Sequence, residues 1–267
     1  MELARFAVGR IGIARAHSID RPEVSQLFVS DAPCSEATRS FFGSFARVYS
    51  FFAADDERFR SALTAVTREV RFYPFHPPGD DHVAIAYLRT MGVQAGATVE
   101  VGLELPDEDR DAASKILARN RLQPHSYLLV LPGSGSRSKN WPAEKFVALA
   151  ERIAAAIKSL VVLGPAEEGI EDIFRARRIA PLRGLELGEV AALARQAKAF
   201  VGSDSGVSHL AAAAGASGVV LFGPTDPDRW RPLGRVAVIR HQPIADLTVE
   251  EVEAALTGML CDKQNSA

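Results

Sequence analysis

Cysteine is nearly missing from this 267-residue sequence: Cys34 and Cys261 stand far apart and without a CxxC spacing. Two such thiols build neither a zinc site nor a disulfide framework, and they read as reduced cysteines of a cytosolic protein. No block of Lys and Arg is present and the formal charge is only -2. That excludes the electrostatic footprint of a nucleic-acid binder. Long apolar runs are missing as well. No window approaches a membrane span, and Met1 to Ala16 carries Arg5, Arg10 and Arg15, which leaves no apolar core for a signal peptide. There is no internal repeat and no low-complexity tract. Apolar residues are plentiful, 47% against 24% charged, the profile of a soluble globular chain with enough length for two domains.

Beyond Pro124 strand-like runs alternate with helical patterns. Tyr127-Leu128-Leu129-Val130-Leu131 reads as a buried strand stopped by Pro132 and Gly133, and Ser159–Leu163, Ala199–Val201 and Gly218–Phe222 read likewise. Between them, Pro142 suits a first helical position, and Phe146, Leu149, Ala150, Ile153 and Ile157 recur on one helical face. Glu189 to Gln196 is a further helical stretch. This alternation predicts a parallel sheet with helices on both faces. Thr248-Val249-Glu250-Glu251 is a capping box that opens a last helix through about Leu260.

The amino-terminal half is less regular. Leu27-Phe28-Val29 and Val48-Tyr49-Ser50-Phe51 look like strands, and Phe59–Val70 and His82–Met91 like helices. Asp107-Glu108-Asp109 opens a charged segment ending near Arg121, which suits a surface helix whose charges complement its dipole. The domain boundary falls near Gln123 and Pro124, giving domains 1–123 and 124–267.

Two loops at strand ends carry the chemistry. In Pro132-Gly133-Ser134-Gly135-Ser136-Arg137-Ser138-Lys139-Asn140-Trp141-Pro142, small residues admit a close ligand, the hydroxyls add donors, and Lys139 supplies charge near the mouth of a helix. It is not a P-loop, because Ser138 precedes the Lys and Asn140 follows it. A dinucleotide fingerprint would need a third Gly where Ser138 stands. A solvated surface loop is the plain alternative. In Val201-Gly202-Ser203-Asp204-Ser205-Gly206-Val207-Ser208-His209, a helix opening at Ser205 or Gly206 would aim free N–H groups and its positive dipole end out of the sheet. Asp204 is either a partner for sugar hydroxyls or a helix N-cap. His209, one turn on from Ser205, either reaches the same ligand or packs in the core.

Together these stretches resemble glycosyltransferase family 9, the ADP-heptose:lipopolysaccharide heptosyltransferases. The resemblance rests on Leu131–Ser136 leading to Lys139-Asn140-Trp141-Pro142, on Val201–Gly206 with His209, and on Phe222-Gly223-Pro224-Thr225-Asp226-Pro227 with Trp230 and Pro232. It covers about Tyr127 to Gly234. It implies an α/β GT-B architecture: two Rossmann-like domains with parallel sheets facing across a cleft, the amino-terminal one reduced or atypical. By the resemblance, Ser134, Ser136, Lys139, Ser205 and Gly206 hold the diphosphate of a nucleotide-sugar. Asp204 and His209 position the sugar, and Glu167 contacts the nucleoside. The implied chemistry is inverting, without metal or cofactor, moving heptose from ADP-heptose to a lipid-linked, lipopolysaccharide-type acceptor. The setting is cytoplasmic, peripheral at the inner membrane face.

Two departures from the family pattern stand out. Members open with a strand running into a Gly-Asp turn whose Asp acts as base, whereas Gly9 is followed here by Arg10 and Ile11, and from there no carboxylate comes until Asp20. Leu131 stands where many relatives have His. Asp20, Asp31, Glu36, Asp55, Asp56, Asp80 and Asp81 are possible replacements for the base, with nothing in their spacing to choose among them. The expectation for the chain as it runs from Met1 is therefore nucleotide-sugar binding with slow transfer. A non-catalytic nucleotide-sugar binder is the alternative, and a dinucleotide oxidoreductase is disfavoured.

Overall fold

A computed structural model describes residues 2–29, 33–94, 102–167 and 169–262. The chain divides into two compact units, Met1–Arg5 with Arg15–Thr98 and Phe6–Ala14 with Val99–Ala267. In order the elements are α1 (Glu2–Ala7), α2 (Pro22–Val29), α3 (Glu36–Gly43), β1 (Val48–Ser50), α4 (Glu57–Val66), β2 (Val70–Phe72) and α5 (Val83–Thr90). There follow α6 (Asp107–Arg119), β3 (Tyr127–Leu131), α7 (Ala143–Ile153), β4 (Lys158–Leu163), α8 (Glu171–Arg175), β5 (Leu182–Arg183) and α9 (Leu187–Gln196). The last are β6 (Ala199–Ser203), α10 (Gly206–Ala213), β7 (Gly218–Phe222), α11 (Pro227–Trp230), β8 (Val236–Arg240) and α12 (Val249–Asp262). Among the described residues no helix is long and apolar enough to cross a membrane.

In the first unit β1 and β2 pair in parallel, and Leu27, Phe42, Phe59, Leu63 and Val66 form the core between the helices. Leu27-Phe28-Val29, expected as a strand, is the end of helix α2. Three apolar residues are too few to show a period, and Pro22 with Glu23 supplies a helix start just before them. Helix α4 ends at Val66, short of the expected Val70, which opens β2 instead.

The second unit is a six-stranded parallel sheet in the order β5-β4-β3-β6-β7-β8. Its side chains alternate between two cores, as strand geometry requires. Tyr127, Leu129 and Leu131 pack with Ile116, Leu117, Leu193 and Ala211 on one face. Leu128 and Val130 pack with Phe146, Leu149, Phe174 and Leu256 on the other. Pro142 stands just before α7 rather than at its first position, and Thr248 and Glu251 form the expected capping box. Helix α6 belongs to this unit, although the sequence boundary at Gln123 lies after it.

One acidic residue of α6 is not the surface charge that its sequence suggests. Asp109 is buried, and both its oxygens accept from Arg10, 2.8 Å from Nε and 2.8 Å from Nη2. Arg10 also donates to the Phe6 carbonyl at 3.1 Å. Its hydrogen bond to Asp109 raises its pKa although burial opposes it, so the guanidinium stays charged. A Cβ on Gly188 would lie 2.1 Å from Asp109 Oδ1, so only glycine at the start of α9 leaves room for this pair.

Candidate functional site

Strand order runs outward one way through β3, β4 and β5, then reverses to β6, β7 and β8. Open parallel sheets bind ligands at such a reversal, beyond the carboxyl ends of the strands. Leu131 sits opposite Gly202 across it, so the loops after β3 and β6 leave the sheet side by side. Ser203 Oγ ties them together by donating to the Pro132 carbonyl at 2.9 Å. Gly202 allows this closeness, since a Cβ there would lie 2.5 Å from Ser208 Oγ and 3.1 Å from Leu131 Cβ.

The first loop is shaped from within. Ser134 Oγ lies between Asn140 Oδ1 at 2.6 Å and the Ser136 carbonyl at 2.8 Å, and accepts from the Ser136 N–H at 3.3 Å. Ser134 is buried, whereas Gly135, Ser136, Arg137 and Ser138 are exposed. Ser136 and Ser138 join their hydroxyls at 2.9 Å. Trp141 closes the loop: its indole N–H donates to the Leu247 carbonyl at 2.9 Å, inside the core.

The second loop places Ser205, not Asp204, at the N-cap of α10, with Ser205 Oγ accepting from the Ser208 N–H at 3.4 Å. The N–H groups of Gly206 and Val207 then precede any intrahelical carbonyl that could bind them. Gly206 is exposed with open space beside it, and His209 is half-buried on the first turn. Asp204 is 6% exposed, and its Oδ2 accepts from Lys139 Nζ at 3.0 Å and from Thr225 Oγ1 at 2.5 Å. Thr225 stands in Gly223-Pro224-Thr225, three residues beyond β7. Gly223 passes so close to the first loop that a Cβ on it would lie 3.2 Å from the Ser138 carbonyl. Three segments distant in sequence therefore meet at one carboxylate oxygen. Thr225 and Asn140 lie inside the motifs, and their places beside Pro224 and Lys139 are the only sequence signal of these contacts.

Glu167 comes from the loop after β4. It is buried, its Oε2 accepts from the Gly164 N–H, and its carboxyl covers Gly133. The structure thus joins Lys139, Asp204 and Thr225 in one contact, and sets Glu167 against the first loop. Among the described residues no three His, Cys, Asp or Glu side chains gather to hold a metal ion. A cavity of about 380 Å³ lies at the opposite end of the sheet, by Lys158 and Ser159 where β4 begins, and contains no residue of these motifs.

The sequence model of glycosyltransferase family 9 (heptosyltransferase) matches residues 81–253, well over half of the chain and all three motifs. The chain belongs to glycosyltransferase family 9. Lipopolysaccharide heptosyltransferase 2 of Escherichia coli (strain K12) is 29% identical over 154 residues, covering 48% of this chain and 44% of that one. The chain thus spans less than half the length of the curated relatives that it matches. Among solved structures, E. coli ADP-heptose lps heptosyltransferase II superposes with a TM-score of 0.64 at 20% identity, covering 85% of this chain and 79% of that one. An E. coli heptosyltransferase solved with ADP gives 0.61 at 19%, covering 84% and 76%. These likenesses establish the GT-B α/β fold.

Arg10, at the place where the resemblance leads one to expect a Gly-Asp turn, is committed to Asp109 and the Phe6 carbonyl. Leu131, where the resemblance leads one to expect a His, is buried at the end of β3. Of the carboxylates named as replacements for the base, Asp56 caps α4 by accepting from the Phe59 N–H at 2.9 Å. Asp81 pairs with Arg89, Asp20 accepts from the Ser18 hydroxyl at 3.1 Å, and Glu36 lies in the first turn of α3. Asp55 and Asp80 are described without a role of this kind, and Asp31 lies outside the described residues.

Proposed function

We propose that the loop after β3 and the start of α10 hold a nucleotide-sugar, ADP-heptose. Its heptose is transferred with inversion, and without metal, to a lipopolysaccharide-type acceptor at the cytoplasmic face of the inner membrane. The observation that carries this reading is the meeting of Lys139, Asp204 and Thr225 at the reversal of the sheet. The relatives named above are heptosyltransferases, one of them an ADP-heptose enzyme.

The chemistry follows from charge placement. When a glycosidic bond to a diphosphate breaks, negative charge develops on the leaving oxygens. Lys139 and the N–H groups of Gly206 and Val207 receive it, a cation and a helix dipole in place of a metal. Ser134 and Ser136 keep the loop open for the phosphates, and Asp204 accepts from hydroxyls of the sugar, with His209 at its side. Glu167 faces the nucleoside.

Calorimetry with ADP in the presence of a chelator tests the site. Binding is expected for the wild type, with a loss of tenfold or more for Lys139→Ala. No heat from the wild type, or equal affinity in the variant, refutes the assignment. Release of ADP from ADP-heptose in the presence of a heptose-deficient lipopolysaccharide tests transfer.

A further inference from the structure

The two groups that the proposed function assigns to different parts of the ligand are bound to each other. Lys139 Nζ, which would serve the diphosphate, lies 3.0 Å from Asp204 Oδ2. The same oxygen accepts from Thr225 Oγ1 at 2.5 Å, and the Asp204 side chain is 6% exposed while that of Lys139 is 31% exposed. The carboxylate is therefore the fixed member of the pair and the lysine the member with room to move.

A diphosphate entering this site must draw Lys139 away from Asp204. It must also lie near a buried carboxylate of its own sign, where the low dielectric makes the repulsion stronger than in water. Bare ADP meets both costs and lacks the sugar beyond its β-phosphate whose hydroxyls would donate to Asp204. An intact nucleotide-sugar brings hydroxyl donors to the same carboxylate and replaces the lost partner. We propose that Asp204 is a built-in competitor of the diphosphate for Lys139, braced by Thr225, and that this competition makes the site prefer the intact nucleotide-sugar over the spent nucleotide. After transfer the sugar hydroxyls leave, Asp204 reclaims Lys139, and ADP is expelled. This inference rests on the nucleotide-sugar reading of the site.

Thr225 gives the idea a second handle of opposite sign. Its hydroxyl takes part of the charge on Oδ2, so removing it leaves Lys139 as the only one of these two donors and tightens the ion pair. Charge-assisted hydrogen bonds are about twice as strong as neutral ones, so replacing the carboxylate by an amide relaxes the pair without emptying the position.

The experiment is calorimetric titration of full-length wild type, Asp204→Asn, Thr225→Val and Thr225→Ser with ADP and with ADP-heptose, each variant first checked by its melting curve. Asp204→Asn is expected to bind ADP more tightly, by about five- to tenfold, the lower range of coupling between linked sites. Its affinity for ADP-heptose gains less or falls, so the ratio of the two affinities collapses toward one. Thr225→Val is expected to bind ADP several-fold more weakly, and Thr225→Ser to return to the wild-type value. A merely structural role would weaken both ligands in every variant. Asp204→Asn with unchanged or weaker ADP binding overturns this inference, as does tighter ADP binding by Thr225→Val. A wild type that binds neither ligand overturns the nucleotide-sugar reading, and this inference with it.

Discussion

Replacing Gly133 by alanine would displace Glu167 by direct overlap, with Glu167 itself left unmutated. A Cβ at position 133 falls 2.0 Å from both Cδ and Oε1 of Glu167 and 2.6 Å from its Cγ. All three atoms belong to a flexible side chain, so the overlap is relieved by turning Glu167 outward rather than by moving the sheet. The cost is then the bond that Glu167 gives up, its carboxylate accepting from the Gly164 N–H. Hydrogen bonds to charged groups contribute roughly 1.5–3 kcal/mol. Gly133 is not among the positive-φ glycines, so alanine also restricts the unfolded chain and returns about 0.4–1 kcal/mol. The net loss is about 1–2 kcal/mol, which in a unit of this size lowers Tm by about 2–8 °C. Gly135→Ala in the same loop is the control: no atom lies within 4 Å of its Cβ position and its φ is ordinary, so Tm should hold or rise slightly. If Glu167 faces the nucleoside, Gly133→Ala weakens ADP about tenfold or more but leaves inorganic pyrophosphate unchanged, because tenfold corresponds to about 1.4 kcal/mol. Scanning calorimetry and titration of the two variants decide the matter. A Gly133→Ala protein that melts and binds ADP as the wild type does would refute the reasoning.

Two further outcomes test the packing around the site. Arg10→Met strands Asp109 as a buried unpaired carboxylate and should cost about 3–5 kcal/mol in urea unfolding, most of it recovered in Arg10→Met/Asp109→Leu; a single variant as stable as the wild type contradicts this. Burial pushes the Tyr127 phenol above its usual pKa, and the phenol donates to the Leu193 carbonyl at 2.5 Å. Below about pH 10 both folded and unfolded chains keep that proton. Above it the unfolded chain loses the proton first, so stability falls as pH rises, by up to about 1.4 kcal/mol per pH unit from this group. Melting curves from pH 8 to 11 should be steeper for the wild type than for Tyr127→Phe, and equal slopes would exclude the effect.

Strands β3, β4, β6 and β7 were legible because each is a continuous apolar run buried on both faces, and the loops after β3 and β6 because their composition is unusual wherever it occurs. Strand β8 is not legible in the sequence: Val236–Arg240 is at most half-buried and pairs on one side, with β7. Strand β5 has two residues, too few for any period. Asp109 looked like one of three solvated charges because its partner lies 99 residues away, and no local window shows such a pair. The same holds for Thr225, whose tie to Asp204 spans 21 residues and a whole helix. Residues that act through their own loop could be read from the sequence, whereas those that act through a distant partner appeared only once the chain was folded.

The bond between Arg10 and Asp109 also bears on how the protein is made and how it can be divided. Phe6–Ala14 belongs to the second unit, yet the whole of Arg15–Thr98 is synthesised before that unit's remainder. At about 5–20 residues per second, Arg10 waits on the order of 5–20 s for Asp109 to emerge. The first unit is free to fold within that interval, and the ring closes when α6 arrives. Delay adds little to the entropy of closure, which grows only with the logarithm of loop length. For dissection, a fragment starting at Val99 would carry an orphaned Asp109 and an uncovered patch where Phe6 packs. A minimal version of the second unit has to keep residues 6–14, joined by a linker to Val99–Ala267.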